Sequence, residues 1–368
     1  MSNWKIPFLD LRITDEDEKK RLMSVINTVF THGRIVLGPE VEELEKRVAS
    51  MCNRKYAVGV SSGTDALILG LKSLGIGPGD EVITTSLSWI ATANAIAITG
   101  AEPVFADIQD DLNIDPNAIK ELINSRTKAI MPVHYTGKVC AMTDIMKLAD
   151  EHELLVIEDA SQSFGATYNG KIAGSFGDIG CFSMNPMKIF AACGEAGMAV
   201  TDDRETYDRL ISLRYNGTVN KEVCIQPSHN GRLDTLQAAI LLERSKHLNR
   251  IIDRRRTIAS LYNDKLTNIV GIPIEKENEY DVYYTYSIQV ENRKELIRYL
   301  DTCGIETKIQ HPILMPHQQP YQNTRCGSIS NAERLLMRIL CIPVNEKLTV
   351  KDAEYVSNCI IEFYKGGH

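Results

Sequence analysis

The sequence predicts an α/β protein built on a largely parallel central sheet flanked by helices, followed by a smaller α+β C-terminal lobe. Three observations carry that expectation. From about residue 56 to 201, short apolar runs alternate with helical patterns. The runs are almost continuously apolar, as strands covered on both faces require. Beyond about residue 250 the alternation gives way to a Tyr-rich strand pattern, a helix and a Pro/His/Gln-rich loop.

Taken in order, the opening segment carries an amphipathic helix pattern at Glu40–Ala49. Tyr56–Val60 reads as a strand, and Ser61–Leu67 opens a helix after it. Glu81–Thr85, Pro103–Ala106, Ala129–Val133, Leu154–Ile157, Gly180–Ser183 and Met198–Val200 read as buried strands. Each is too short for a typical helix and is bounded by polar or turn residues. Gly77-Pro78-Gly79-Asp80 is a turn before one of them. Helical patterns cover Asp115–Asn124 and Met142–Glu151, and residues 232–265 read as one long, charge-laced helical stretch. Tyr283–Val290 then reads as a strand, Lys294–Cys303 as a helix, and 311–320 as a loop. The expected division is a large unit over residues 1–250 and a smaller, substrate-facing unit over 251–368.

Composition bounds the function. The 368 residues include 41 Lys+Arg against 48 Asp+Glu, a net charge of −7, with 43% hydrophobic and 24% charged residues. A disordered chain would have fewer apolar residues, and a duplex-binding protein a basic excess. The nine cysteines form no C-x-x-C pair, which argues against a disulfide framework or a zinc ribbon. The N-terminal run from Met1 to Pro7 lacks the apolar core of a signal peptide, and no apolar run has the length of a membrane span. The expectation is a soluble, cytoplasmic protein without a metal, nucleic-acid or membrane partner.

Four local features carry chemistry. Ser61-Ser62-Gly63-Thr64-Asp65 joins a strand to a helix, where small residues and a helix N-terminus suit a phosphate; the same run also reads as a plain helix cap. Asp159 follows a buried strand, where a carboxylate can hold a protonated ring nitrogen or cap a helix at Ala160. Gln162 can reach the same ligand or complete a capping box with Asp159. Lys188, in a loop with few charges, is a candidate Schiff-base former, although surface lysines are common. Trp89, one of two tryptophans, can stack on a flat ring or fill the core.

The order glycine-threonine turn, aromatic, strand-end Asp, then Ser and Lys resembles the DegT/DnrJ/EryC1/StrS family of sugar aminotransferases, which are fold type I pyridoxal-phosphate enzymes. The resemblance spans nearly the whole chain, through Gly33–Glu40, Gly77–Ile83, Glu158–Ser163 and Asn230–Ala239. It implies pyridoxal 5′-phosphate as cofactor, with Lys188 bonding it and moving the proton. Asp159 would hold its ring nitrogen and Gln162 would approach its ring hydroxyl. Trp89 would cover one ring face, with Gly63, Thr64 and Ser183 on the phosphate. It further implies that Asn230 reaches the neighbouring subunit's cofactor, making a homodimer with shared active sites. The implied reaction takes an amino group from glutamate or another amino acid to a keto group of a nucleotide-linked sugar, for surface glycan synthesis.

Two departures bear on that reading. Gly194-Glu195-Ala196-Gly197 carries Ala where the family has Gly, and Ile189–Cys193 is more apolar than usual, which is expected to reshape substrate access. Family members often show a His-Tyr-Pro-x-Pro-like run, and here it is Gln310-His311-Pro312-Ile313-Leu314-Met315-Pro316-His317. His311 and His317 are therefore candidate substrate contacts, with plain surface histidines as the alternative. A small keto-phosphate as acceptor, a sugar dehydratase and a catalytically silent regulatory protein are the competing functions. The dehydratases replace the lysine with His, whereas Lys188 is retained.

Overall fold

A computed structural model describes residues 4–366, so Met1–Asn3 of the N-terminal run and the last two residues of the expected second unit lie outside the described residues. Its centre is a seven-stranded sheet made of β1 (Tyr56–Val60), β2 (Glu81–Thr85), β3 (Glu102–Ala106), β4 (Thr127–Met131), β5 (Leu155–Asp159), β6 (Ile179–Ser183) and β7 (Gly197–Thr201). The spatial order is β1-β7-β6-β5-β4-β2-β3. The pairings from β3 through β2, β4 and β5 to β6 are parallel, while β7 runs antiparallel to both β6 and β1. The segment from Met184 to Ala196 builds no crossover helix, and without one the chain returns antiparallel.

Neighbouring residues of one strand feed opposite faces, which is why the strands are apolar throughout. Val82, Ala129 and Ile157 enter one core with Leu67 and Leu71 of the helix Gly63–Ser73. Ile83, Ile130 and Val156 enter another with Val41, Leu44 and Val48 of the helix Pro39–Met51. A further core gathers Ile258, Tyr262, Tyr286, Leu296, Ile342 and Ile360, joined by Ile6 from the opening segment. The proposed division near residue 250 would fall in the first turn of the helix Leu248–Leu266.

The expected single helical stretch over 232–265 is two helices, Thr235–Ser245 and Leu248–Leu266. The first feeds one core, Ala238 and Leu241 joining Val41, while the second spans two, with Leu248 and Ile252 in the core of Val41 and Ile258 and Tyr262 in that of Ile6. The strand expected over Tyr283–Val290 shrinks to Tyr286–Gln289, paired with Ile339–Ile342. Tyr283 has a φ of 48°, and the segment before it bonds elsewhere, Val282 N–H to Gly137 O and Thr285 N–H to Thr136 O. Two further helices, Glu16–His32 and Val350–Lys365, have well-formed caps: Asp15 accepts from Asp17 and Glu18 N–H, and Thr349 and Asp352 form a capping box. Among the described residues no helix is long and apolar enough to cross a membrane.

Candidate active site

The carboxyl ends of β1, β2, β5 and β6 meet at one edge of the sheet, where a cavity of about 570 Å³ opens. Gly63, Thr64, Trp89, Asp159, Gln162, Ser183, Lys188 and His311 all line it.

The β1 end is compact because glycine permits it. A Cβ on Gly63 would lie 2.5 Å from Ser183 Cβ, and one on Gly197 would lie 2.2 Å from the Ser62 carbonyl oxygen. Ser62 Oγ accepts from Asp65 N–H at 3.1 Å and starts the helix whose first residues are Gly63 and Thr64. The first-turn amides and the Thr64 and Ser183 hydroxyls thus surround a space that a phosphate fits and a side chain would fill.

Asp159 closes β5 and is buried. Its Oδ2 accepts from Thr92 Oγ1 at 2.8 Å, and Oδ1 from Ser161 N–H at 3.2 Å. No helix begins at Ala160, so the helix-cap alternative for Asp159 is not what the structure builds. Nor does Gln162 form a capping box with it: Gln162 Oε1 accepts from Thr136 N–H at 2.9 Å, which leaves its amide N–H groups as donors.

Behind Asp159 lies an arrangement that the sequence reading missed. Glu158, on the opposite face of β5, is fully buried and accepts from His134 Nε2 at 2.9 Å. It also accepts from the N–H groups of Gly174, Phe176 and Gly177 at 2.7–2.8 Å. Burial pushes its carboxyl up, but His134 and these amides outweigh burial and hold it below the ordinary range. His134 Nδ1 accepts from Cys140 N–H, which places the ring proton on Nε2. The backbone N–H of His134 donates to Asp159 O at 3.1 Å, so this buried pair anchors the Asp159 main chain. The signal available in the sequence was Glu158 itself, a carboxylate inside an apolar strand.

Lys188 ends a turn in which its N–H donates to Asn185 O and Asn185 Nδ2 to Glu195 Oε1. Among the described residues its Nζ makes no ion pair or hydrogen bond; it lies 4.5 Å from the Tyr284 ring centroid. In the following loop Ile189, Phe190 and Ala192 are buried, with Phe190 4.9 Å from the Phe164 ring, and the loop with Lys188 also lines a second cavity of about 850 Å³. Their apolar side chains thus join the core and a cavity wall at once.

Trp89 is 62% exposed on the cavity rim, which sets aside the core-packing alternative. His311 is 7% exposed, with its ring 5.9 Å from Trp89 and 5.6 Å from Tyr135. Burial, then the Lys188 ammonium, pull its imidazole down to about 4. His311 Nε2 and the Thr285 hydroxyl are buried without hydrogen-bond partners. His311 is therefore no plain surface residue, whereas His317 is. His317 ends a 3₁₀ turn, half exposed, 3.4 Å from Glu333, and does not line the cavity. Asn230 lies outside this chain's own cavity too, exposed and accepting from Arg232 Nε at 2.5 Å. Thr92, Tyr284 and Thr285 line the cavity without having been anticipated; nothing in the local pattern marks Thr92, and the two others were hidden in the expected strand. Among the described residues no His/Cys/Asp/Glu group is placed to hold a metal ion.

Residues 16–361 match the model of the DegT/DnrJ/EryC1/StrS aminotransferase family. The chain is 37% identical to a pleiotropic regulatory protein of Geobacillus stearothermophilus, covering 98% of this chain and 99% of that one. It is 36% identical to a dTDP-3-amino-3,4,6-trideoxy-α-D-glucose transaminase of Streptomyces venezuelae, covering 98% and 96%. The crystal structure of S. venezuelae DesV in complex with a ketimine intermediate superposes with a TM-score of 0.95 at 36% identity, covering 98% of each chain.

Proposed function

This chain belongs to the DegT/DnrJ/EryC1/StrS aminotransferase family, and we propose that it carries an amino group from glutamate to the keto group of a nucleotide-linked sugar, in surface glycan biosynthesis. It is a pyridoxal-phosphate-dependent aminotransferase of the α/β fold described above. The observation that carries the proposal is the single cavity in which an unpaired lysine amine, a buried carboxylate and a glycine-built anion cradle converge.

When bound, pyridoxal phosphate supplies an aldehyde that exchanges amino groups and a ring that accepts electron density. The chain's own residues do the rest. Gly63, Thr64 and Ser183 hold the phosphate. Asp159, oriented by Thr92 and Ser161, keeps a proton on the ring nitrogen through a charge-assisted bond. The Gln162 amide donates to the ring hydroxyl, and Trp89 covers one ring face. Lys188 holds the cofactor, and its freed Nζ moves a proton at the substrate carbon that carries the amino group.

The acceptor reading draws on the dTDP-sugar that names the Streptomyces relative. Within the cavity, His311 Nε2 and Thr285 Oγ1 are unpartnered and suit uncharged sugar hydroxyls; a neutral imidazole can donate or accept. Exposed Phe30, Ile35, Val36, Val223 and Ile225 support a homodimer in which Asn230 reaches the partner's cofactor. A regulatory protein with no chemistry would not need Lys188, Asp159 and the cradle together.

A visible absorbance band after loading with pyridoxal phosphate, absent in Lys188→Ala, checks the cofactor site. Bleaching by glutamate with release of 2-oxoglutarate then checks the donor. Keto-sugar nucleotides should restore the band and small keto-phosphates should not; the reverse result overturns the acceptor. Sedimentation of Val223→Asp as a dimer identical to wild type would count against the proposed interface.

A further inference from the structure

Transamination frees the lysine from its cofactor for part of each cycle, and the freed amine needs a place to sit. In the described structure Lys188 Nζ faces the Tyr284 ring, 4.5 Å from its centroid, with no oxygen acceptor. Tyr284 is fixed by core packing of its side chain and by contacts to its main chain. Tyr284 is 8% exposed and packs in the core with Phe164 and Phe182. Its carbonyl accepts from Arg255 Nη1 at 3.3 Å. Gly137 crosses so closely that a Cβ there would lie 2.7 Å from Tyr284 N, and the next residue donates to Thr136 O. The other charged or titratable groups lining the cavity are Asp159, already engaged by Thr92 and Ser161, Glu195, which accepts from Asn185 Nδ2, the cations Arg255 and Lys308, and His311, which is neutral at ordinary pH; among the described residues none of them pairs with Lys188 Nζ.

We propose that Tyr284 is a positioning residue whose ring face seats the free Lys188 ammonium and keeps it aimed at the substrate carbon. The inference rests on the aminotransferase reading above. In the step concerned, the lone pair of Lys188 Nζ takes up the proton and forms the new N–H bond. The electron pair of the broken C–H bond stays on the substrate side, and the cation so created faces the negative face of the ring. Reversal returns the proton, so nothing is oxidised or reduced on the lysine.

The test begins with cofactor-free protein, where Lys188 is acylated by an amine-reactive ester and its peptide quantified by mass spectrometry. A seated ammonium is a poor nucleophile. Tyr284→Phe keeps the ring face and should label at the wild-type rate, whereas Tyr284→Leu should label about fivefold faster. Because Tyr284→Leu also opens space, fluorinated phenylalanines at position 284 provide the shape-matched series: labelling should quicken with each added fluorine as the ring face loses its charge. In the loaded enzyme, exchange of the glutamate α-hydrogen with solvent should slow along the same series while KM for glutamate holds. Equal labelling across the series, or Tyr284→Phe behaving as Tyr284→Leu, overturns the seat. Failure of the aminotransferase reading would show separately, as a wild-type protein that takes up no pyridoxal phosphate.

Discussion

Gly63→Ala tests the anion cradle most sharply, because the structure states what the added methyl meets. The new Cβ would lie 2.5 Å from Ser183 Cβ, 2.9 Å from Ser183 Cα and 3.0 Å from Ser183 Oγ. Carbon atoms in contact sit at about 3.5–4 Å, so something must move by about 1 Å. β6 lies between β5 and β7, bonded to both, so Ser183 is the stiffer side. The helix N-terminus therefore lifts. Overpacking of this kind costs about 1–3 kcal/mol, offset in part by the better helix propensity of Ala, worth up to about 1 kcal/mol. The larger loss falls on the cofactor: one charge-assisted amide bond to phosphate is worth about 1.5–3 kcal/mol, which is about 10- to 100-fold in Kd. Apoprotein titrated with pyridoxal phosphate, followed by absorbance, reads the affinity, and urea unfolding of the apoprotein reads the stability. Gly70→Ala on the same helix is the control. Its Cβ would meet side-chain atoms, Cys181 Sγ and Ile179 Cδ1 at 3.3 Å and Ile179 Cγ2 at 3.5 Å, so affinity should hold. A Gly63→Ala protein with wild-type Kd and unfolding midpoint would refute the reasoning.

Three other outcomes follow from buried polar groups. Glu158→Gln removes the charge that His134 and three amides hold, and should destabilise the apoprotein by about 3–5 kcal/mol in urea unfolding. Since Glu158 is held below its ordinary value, its contribution is present above that value and lost as pH falls through the folded one; the acid limb of wild type below about pH 4.5 should be shallower in Glu158→Gln. Asp281 has the opposite sign: burial, against the pull of Lys138, raises it to about 7, so the folded chain keeps a proton that the unfolded chain releases. Stability from this group is full below about pH 4 and falls as pH rises through about 7, a slope that thermal melts should find flattened in Asp281→Asn. Thr92→Val removes the donor to Asp159 Oδ2 while keeping shape, and should weaken cofactor binding about tenfold by absorbance titration.

The parts of this site that were legible in the sequence are those written as local runs. A strand followed by Ser-Ser-Gly-Thr, a strand followed by Asp, and Ser then Lys after a third strand are short-range signals, and seven of the strands announced themselves because each feeds two cores. What escaped was set by long-range partnership. Tyr284 belonged by pattern to a strand, yet its φ-inverted neighbour Tyr283 and the close crossing of Gly137 turn it into the cavity wall. Thr92 matters only because β5 brings Asp159 to it across 67 residues. Two histidines six residues apart looked equivalent, and tertiary placement buried His311 and left His317 beside Glu333. The break at Lys246-His247 escaped because apolar residues of one core continue across it, Leu241 and Leu242 before and Leu248 and Ile252 after.

The antiparallel return of β7 makes the reactive lysine a tethered part. The loop that carries it leaves the sheet at Ser183 and re-enters at Gly197, and these two residues are cross-strand partners, so the tether is knotted at its own base. The walls proposed to meet an acceptor, at Thr285, Lys308, Gln310 and His311, come from chain segments that share none of those pairings. On that proposal, substitutions at Lys308, Gln310 or His311 alter the acceptor wall without touching the Ser183–Gly197 pairing that anchors the Lys188 loop.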